Sequence, residues 1–145
     1  MRKKYPVIKI YHGIPKEIMN NLAKLETLGR EFIGTVRDNS IDEYLSIKRG
    51  DMKSADAQNT FKAYTTIDKQ FQDKIDQVVL NIIDRVLHNA LSMFEQSTDF
   101  TICEKEEIDP NLDIVEFSDG LSGELYSEDG WIKQYSKYPQ NTKQV

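Results

Sequence analysis

Between Thr66 and Gln96 apolar residues recur every three or four positions, and no Pro or Gly interrupts them. Ile67, Phe71, Ile75, Val78, Val79 and Ile82 begin the series; Ile83, Val86, Leu87, Ala90, Leu91 and Phe94 continue it. This period predicts one helix over 66–96, roughly 45 Å long at 1.5 Å per residue. Its apolar stripe reads as core material, with Asp68, Asp73, Asp76, Asp84, Arg85 and Glu95 at other positions around the helix.

Ahead of this helix the pattern is mixed. Tyr5–Tyr11 (YPVIKIY) combines β-branched and aromatic residues and predicts a short N-terminal strand. Pro15 suits the first position of a helix in which Ile18, Met19, Leu22, Leu25 and Leu28 are helically spaced, with Gly29 as its stop. The next segment, REFIGTV, fits either a continuing helix or a strand. Ser40 and Glu43 have capping-box spacing for a second helix that runs to Gly50. Residues 51–65 read as a loop followed by a helical turn.

Beyond the long helix the period shortens to two. FTICE and DIVEF alternate like strands, joined by the acidic connection EKEEIDPNLD. In FSDGLSGELYSEDGWIKQY, a Ser127–Gly130 loop sets Tyr126 opposite Trp131, Leu125 opposite Ile132 and Glu124 opposite Lys133. Such cross-strand pairs each stabilise a hairpin by a few tenths to ~1 kcal/mol. The expected architecture is α+β in a single domain, 1–145. It has an N-terminal strand, a helical block built on the 66–96 helix, and a C-terminal antiparallel β-meander.

Composition narrows the class. With 39% hydrophobic and 30% charged residues among 145, the chain is globular rather than disordered. The opening MRKKYPVIKIYHG carries the bases of a signal peptide, but Lys9 breaks an apolar run already too short for one. No stretch reaches the roughly 18 apolar residues of a membrane span. A single cysteine, Cys103, excludes an intramolecular disulfide and a thiolate cluster and fits a reducing cytoplasm.

Charge changes the picture more. Net charge is −5, yet Asp99 to Gly130 holds eleven acids against Lys105 alone, leaving +5 for the rest. Direct nucleic-acid binding by that stretch is disfavoured, since phosphate affinity needs clustered Lys and Arg. A basic protein or a cation would be drawn to it instead; a merely solubilising face is the plainer alternative.

Catalytic chemistry finds little footing. His12 and His88 are the only histidines, and no local motif places either beside Cys103, which reads as a half-buried thiol on a strand. No nucleotide-binding, zincin or nucleophile-elbow motif occurs. A calcium loop begun at Asp119 would need glycine sixth and glutamate twelfth, but Glu124 and Gly130 stand there. No cofactor or metal is expected. Trp131 either packs beneath a loop or the N-terminal strand, or joins Tyr126 and Tyr135 on a displayed face ringed by acids. In the second case Asp119, Glu124, Tyr126, Glu128, Asp129 and Trp131 form a partner-binding surface, of the aromatic kind that interface hot spots favour.

The acidic-aromatic segment SDGLSGELYSEDGW, within a small acidic chain lacking catalytic motifs, resembles the immunity proteins of bacterial contact-dependent growth inhibition systems. That resemblance implies a non-enzymatic cytoplasmic inhibitor that covers the basic active site of a cognate toxin domain, such as a nuclease. Two other classes remain beside it. One is a regulatory or adaptor protein of a mobile element; the other is an enzyme using a carboxylate pair with one raised pKa.

Overall fold

A computed structural model of the chain describes residues 15–105 and 113–138. Among the described residues every regular element is helical and no strand occurs. The expected α+β class and its β-meander are therefore overturned in favour of an all-α arrangement. The predicted strand at Tyr5–Tyr11 lies outside the described residues.

Helix α1 (Lys16–Phe32) passes into a π-helical stretch (Ile33–Asp38) and then into α2 (Asn39–Arg49) without leaving right-handed helical backbone. The segment that fitted helix or strand is thus helical, but underwound, with about one extra residue per turn. Residues five apart then share a face, and Ile33, Arg37 and Asp38 all turn inward. Gly29 does not stop α1, and Ser40 lies within α2 rather than capping it. The chain does break at Gly50, whose φ of 75° is left-handed, and its N–H donates to Ile47 O at 2.9 Å.

Ser54 begins α3 (Ala55–Thr65), its hydroxyl oxygen accepting from Ala57 N at 3.3 Å. Helix α3 folds back on α2. Helix α4 (Lys69–Gln96) is the long spine. After it the chain forms two 3₁₀ turns, Ile114–Phe117 and Leu121–Leu125, and the single helical turn of α5 (Trp131–Tyr135).

Local geometry explains why this last segment makes turns instead of strands. The Asp113 carboxylate accepts from Val115 N at 2.9 Å, which starts a turn where DIVEF promised a strand. Ser127 O accepts from Gly130 N at 2.8 Å, so the expected loop does turn there. Gly130 then opens α5, so residues 131–135 coil and do not return alongside 124–126. Lys133 reaches Glu128 rather than Glu124, at 2.9 Å. FTICE is likewise irregular, and Cys103 is exposed rather than half-buried.

The core lies where α1, the π-helical stretch, α4 and the C-terminal turns meet. Leu25, Ile33, Leu87, Leu91, Leu121 and Trp131 are buried there. The second 3₁₀ turn packs on α4, whereas the first turn and α5 pack on α1. Only one side of α4 contributes. Leu87 and Leu91 are buried and Ile83 and Phe94 pack beside them, but Phe71, Val78, Ile82 and Val86 are exposed.

Candidate functional site: an acidic cleft beside Trp131

A cleft of about 230 Å³ opens between α1 and the C-terminal segment. Leu22, Leu25, Phe117, Trp131 and Tyr135 supply its apolar lining. Four carboxylates surround them: Glu26 from α1, Asp119 and Glu124 from the second 3₁₀ turn and its approach, and Asp129 from the turn ahead of α5. Among the described residues no Lys or Arg lines it. Its volume is below the roughly 300 Å³ at which small-molecule pockets begin, so it suits one inserted side chain.

Packing fixes this geometry. Trp131 is 2% exposed and lies against α1 at Gly29, where a Cβ would come within 2.4 Å of the indole ring. The helical spacing of α1 therefore delivers Glu26 and Gly29 one turn apart, the first to the cleft and the second beneath the indole. Glu124 is held by Ser118 Oγ, which donates to its Oε1 at 2.7 Å. Gln134 Nε2 donates to Asp129 O and ties α5 to the preceding turn. Arg30 stands over the ring of Tyr135, 5.4 Å from its centroid.

The six residues picked out by sequence divide accordingly. Asp119, Glu124, Asp129 and Trp131 come together at the cleft, with Trp131 as packed wall rather than displayed aromatic. Tyr126 lies elsewhere, on α4: its hydroxyl donates to Asp84 O at 3.1 Å, and its ring is 5.7 Å from that of His88. Burial raises the Tyr126 pKa, with the nearby Asp84 charge adding to it. Glu128 is exposed and paired with Lys133, whose hydrogen bond lowers the carboxyl pKa. Glu26 joins the cleft without a signal in the sequence, because nothing local in α1 links it to the acidic stretch about a hundred residues on.

A buried polar network that sequence reasoning missed anchors the end of the described chain. Arg37 is fully buried, and its Nε donates to Asp84 Oδ1 at 2.6 Å and Nη2 to Asp84 Oδ2 at 3.3 Å. Its Nη1 donates to Ser136 Oγ at 2.7 Å and Tyr138 O at 3.1 Å. Asp38 in turn accepts from Ser136 Oγ at 2.5 Å and Lys137 N at 2.9 Å. The available signal was Asp84 itself: it interrupts the inward series Leu80, Leu87 and Leu91 at helical spacing.

A second cluster joins α2, α3 and α4. Asp76 accepts from Tyr44 Oη at 2.5 Å, Tyr64 Oη at 3.1 Å and Lys48 Nζ. Burial pushes the Asp76 carboxyl up, but hydrogen bonds from Lys48, Tyr44 and Tyr64 outweigh it and leave the pKa below its ordinary value. Burial, and then the bond to Asp76, drive Tyr44 well above the usual tyrosine range.

Among the described residues no three His, Cys, Asp or Glu side chains converge as a metal site. No described helix is long and apolar enough to cross a membrane. No family model, curated protein or solved structure matches the chain.

Proposed function

We propose that the protein is a non-catalytic binding protein that receives a basic side chain of a protein partner in the acidic cleft. In this reading it acts in the cytoplasm by covering that partner, in the manner of an inhibitor of a toxin nuclease. The observation that carries the reading is the convergence of Glu26, Asp119, Glu124 and Asp129 on one small cleft that no Lys or Arg lines among the described residues. A cationic side chain entering it would be attracted by the carboxylates of Asp119, Glu124 and Asp129 while its stem lies on Phe117 and Tyr135. The same charge repels phosphate, which disfavours direct contact with nucleic acid.

Co-expression with the products of neighbouring genes tests this. Capture of a basic partner should weaken with salt and be lost when Asp119→Lys and Asp129→Lys are combined, with helicity unchanged. Asp73→Lys, a charge reversal at an exposed position on α4, should leave capture intact. A partner retained equally by the cleft variant, at low and high salt alike, would remove the cleft from its recognition.

A further inference from the structure

The outward side of α4 carries an apolar stripe that no other described element covers. Phe71, Ile75, Val78, Ile82, Val86 and Met93 are each between 36% and 61% exposed. With the exposed Asn89 they follow steps of four, three, four, four, three and four residues. That is an eleven-residue pattern repeated twice, or about 3.67 residues per turn, so the stripe stays on one side of a nearly straight helix.

The steps also read the same from either end. Ile82 is the centre, with stripe positions four, seven and eleven residues away on both sides. A two-fold axis through Ile82 would therefore set every stripe position against another stripe position. Phe71 would meet the partner's Met93, Ile75 the partner's Asn89, Val78 the partner's Val86, and Ile82 the partner's Ile82. This register is the self-complementarity that an isologous contact requires.

Charge permits the pairing. At 100° per residue the acids within α4, Asp73, Asp76, Asp84 and Glu95, fall on the opposite side of the helix. Lys74 and Arg85 lie along one edge of the stripe, and the antiparallel register brings them opposite the partner's Ser92 and the partner's Asn81. No like charges face one another. The six side chains leave roughly 500 Å² of apolar surface open, toward the upper end for a lone monomer. Two copies would bury at most about 1,000 Å² through these side chains, at the lower bound for a specific interface.

From this we infer that α4 is a homodimer interface, with two copies packed antiparallel about Ile82. The cleft beside Trp131 involves α1 and the C-terminal segment and would stay open in the dimer. The affinity expected of so small an interface is micromolar.

Sedimentation of the full chain tests the inference. Wild type should shift from monomer to dimer as concentration rises through the micromolar range, and Ile82→Glu should remain monomeric with unchanged helicity. In a Cys103→Ser background, Ile82→Cys should oxidise to a covalent dimer. Phe71→Cys alone should not, because its two copies would lie about 33 Å apart; mixed with Met93→Cys it should cross-link. A wild type that stays monomeric throughout overturns the inference, as does a dimer indifferent to Ile82→Glu. Phe71→Cys linking to itself would replace the antiparallel arrangement with a parallel one. A monomer whose partner capture is lost on Ile82→Glu would assign the stripe to another protein.

Discussion

Arg37 and Asp84, 47 residues apart, meet as a two-pronged buried ion pair, Nε to Oδ1 at 2.6 Å and Nη2 to Oδ2 at 3.3 Å. The π-helical stretch aims the guanidinium inward, and α4 presents the carboxylate between its buried leucines. Ser136 and Tyr138 complete the set, so the cation ties the C-terminal segment to both long helices. A buried pair of this kind adds little over an apolar replacement, but removing one partner strands the other.

Arg37→Met should therefore cost about 3–5 kcal/mol, because Asp84 and Asp38 would remain buried without their cation. Chemical denaturation measures the loss, and hydrogen exchange should show faster opening at residues 136–138. Arg37→Lys keeps the charge without the fork and should recover only part of the stability. A loss under about 1 kcal/mol for Arg37→Met would mean that the network is not a keystone.

Gly29→Ala tests the seat of Trp131. The new Cβ would lie 2.4 Å from the indole ring, which has no flexible end to yield. The ring must move or α1 must shift, an overpacking cost of about 1–3 kcal/mol. Trp131 is the only tryptophan, so its emission reports the site directly. A red shift together with lower stability is expected; unchanged emission would place the ring elsewhere.

The long helix was legible because 28 residues without Pro or Gly let the 3.6-residue period accumulate. Gly50 was legible as a stop because one residue type suits a left-handed φ. FTICE and DIVEF are each five residues long, over which two-fold alternation and helical spacing look alike. A turn at Ser127–Gly130 serves a hairpin and a helix start equally. Taken together, Ile114, Phe117, Leu121 and Leu125 step by three and four, the helical period. Four of the six predicted site residues reach one cleft because they lie close in sequence, around tight turns. Glu26 was hidden since nothing local links α1 to those turns, and the Arg37–Asp84 pair was hidden since periodicity carries no information on distant contacts. Trp131 was ambiguous until Gly29 revealed the flat surface it covers.

Gly50→Ala should destabilise by roughly 1 kcal/mol or more, because φ 75° strains any residue with a side chain. The added methyl would also stand 3.1 Å from the Phe61 ring. Thermal melts of Gly50→Ala against wild type measure the effect; an equal or raised Tm would show that the α2–α3 turn relaxes freely.

The Asp76 cluster gives stability a defined pH dependence at both ends. Asp76 has a lowered pKa in the folded chain, so its contribution is complete above the ordinary carboxylate value near 4. It is lost as pH falls through the folded value and the carboxylate that holds Lys48, Tyr44 and Tyr64 is protonated. Tyr44 runs the other way. Its pKa is raised, so its contribution is complete below the ordinary tyrosine value near 10 and lost as pH climbs above it. Asp76→Asn should lower stability at neutral pH and flatten its fall as pH drops below about 4. In the same variant Tyr44 should ionise at lower pH, followed by tyrosinate absorbance, because the carboxylate that opposes its charge is gone. Burial still holds Tyr44 above a free tyrosine, so the shift should be partial. An acid limb with unchanged slope in Asp76→Asn would show that other carboxylates set the acid response.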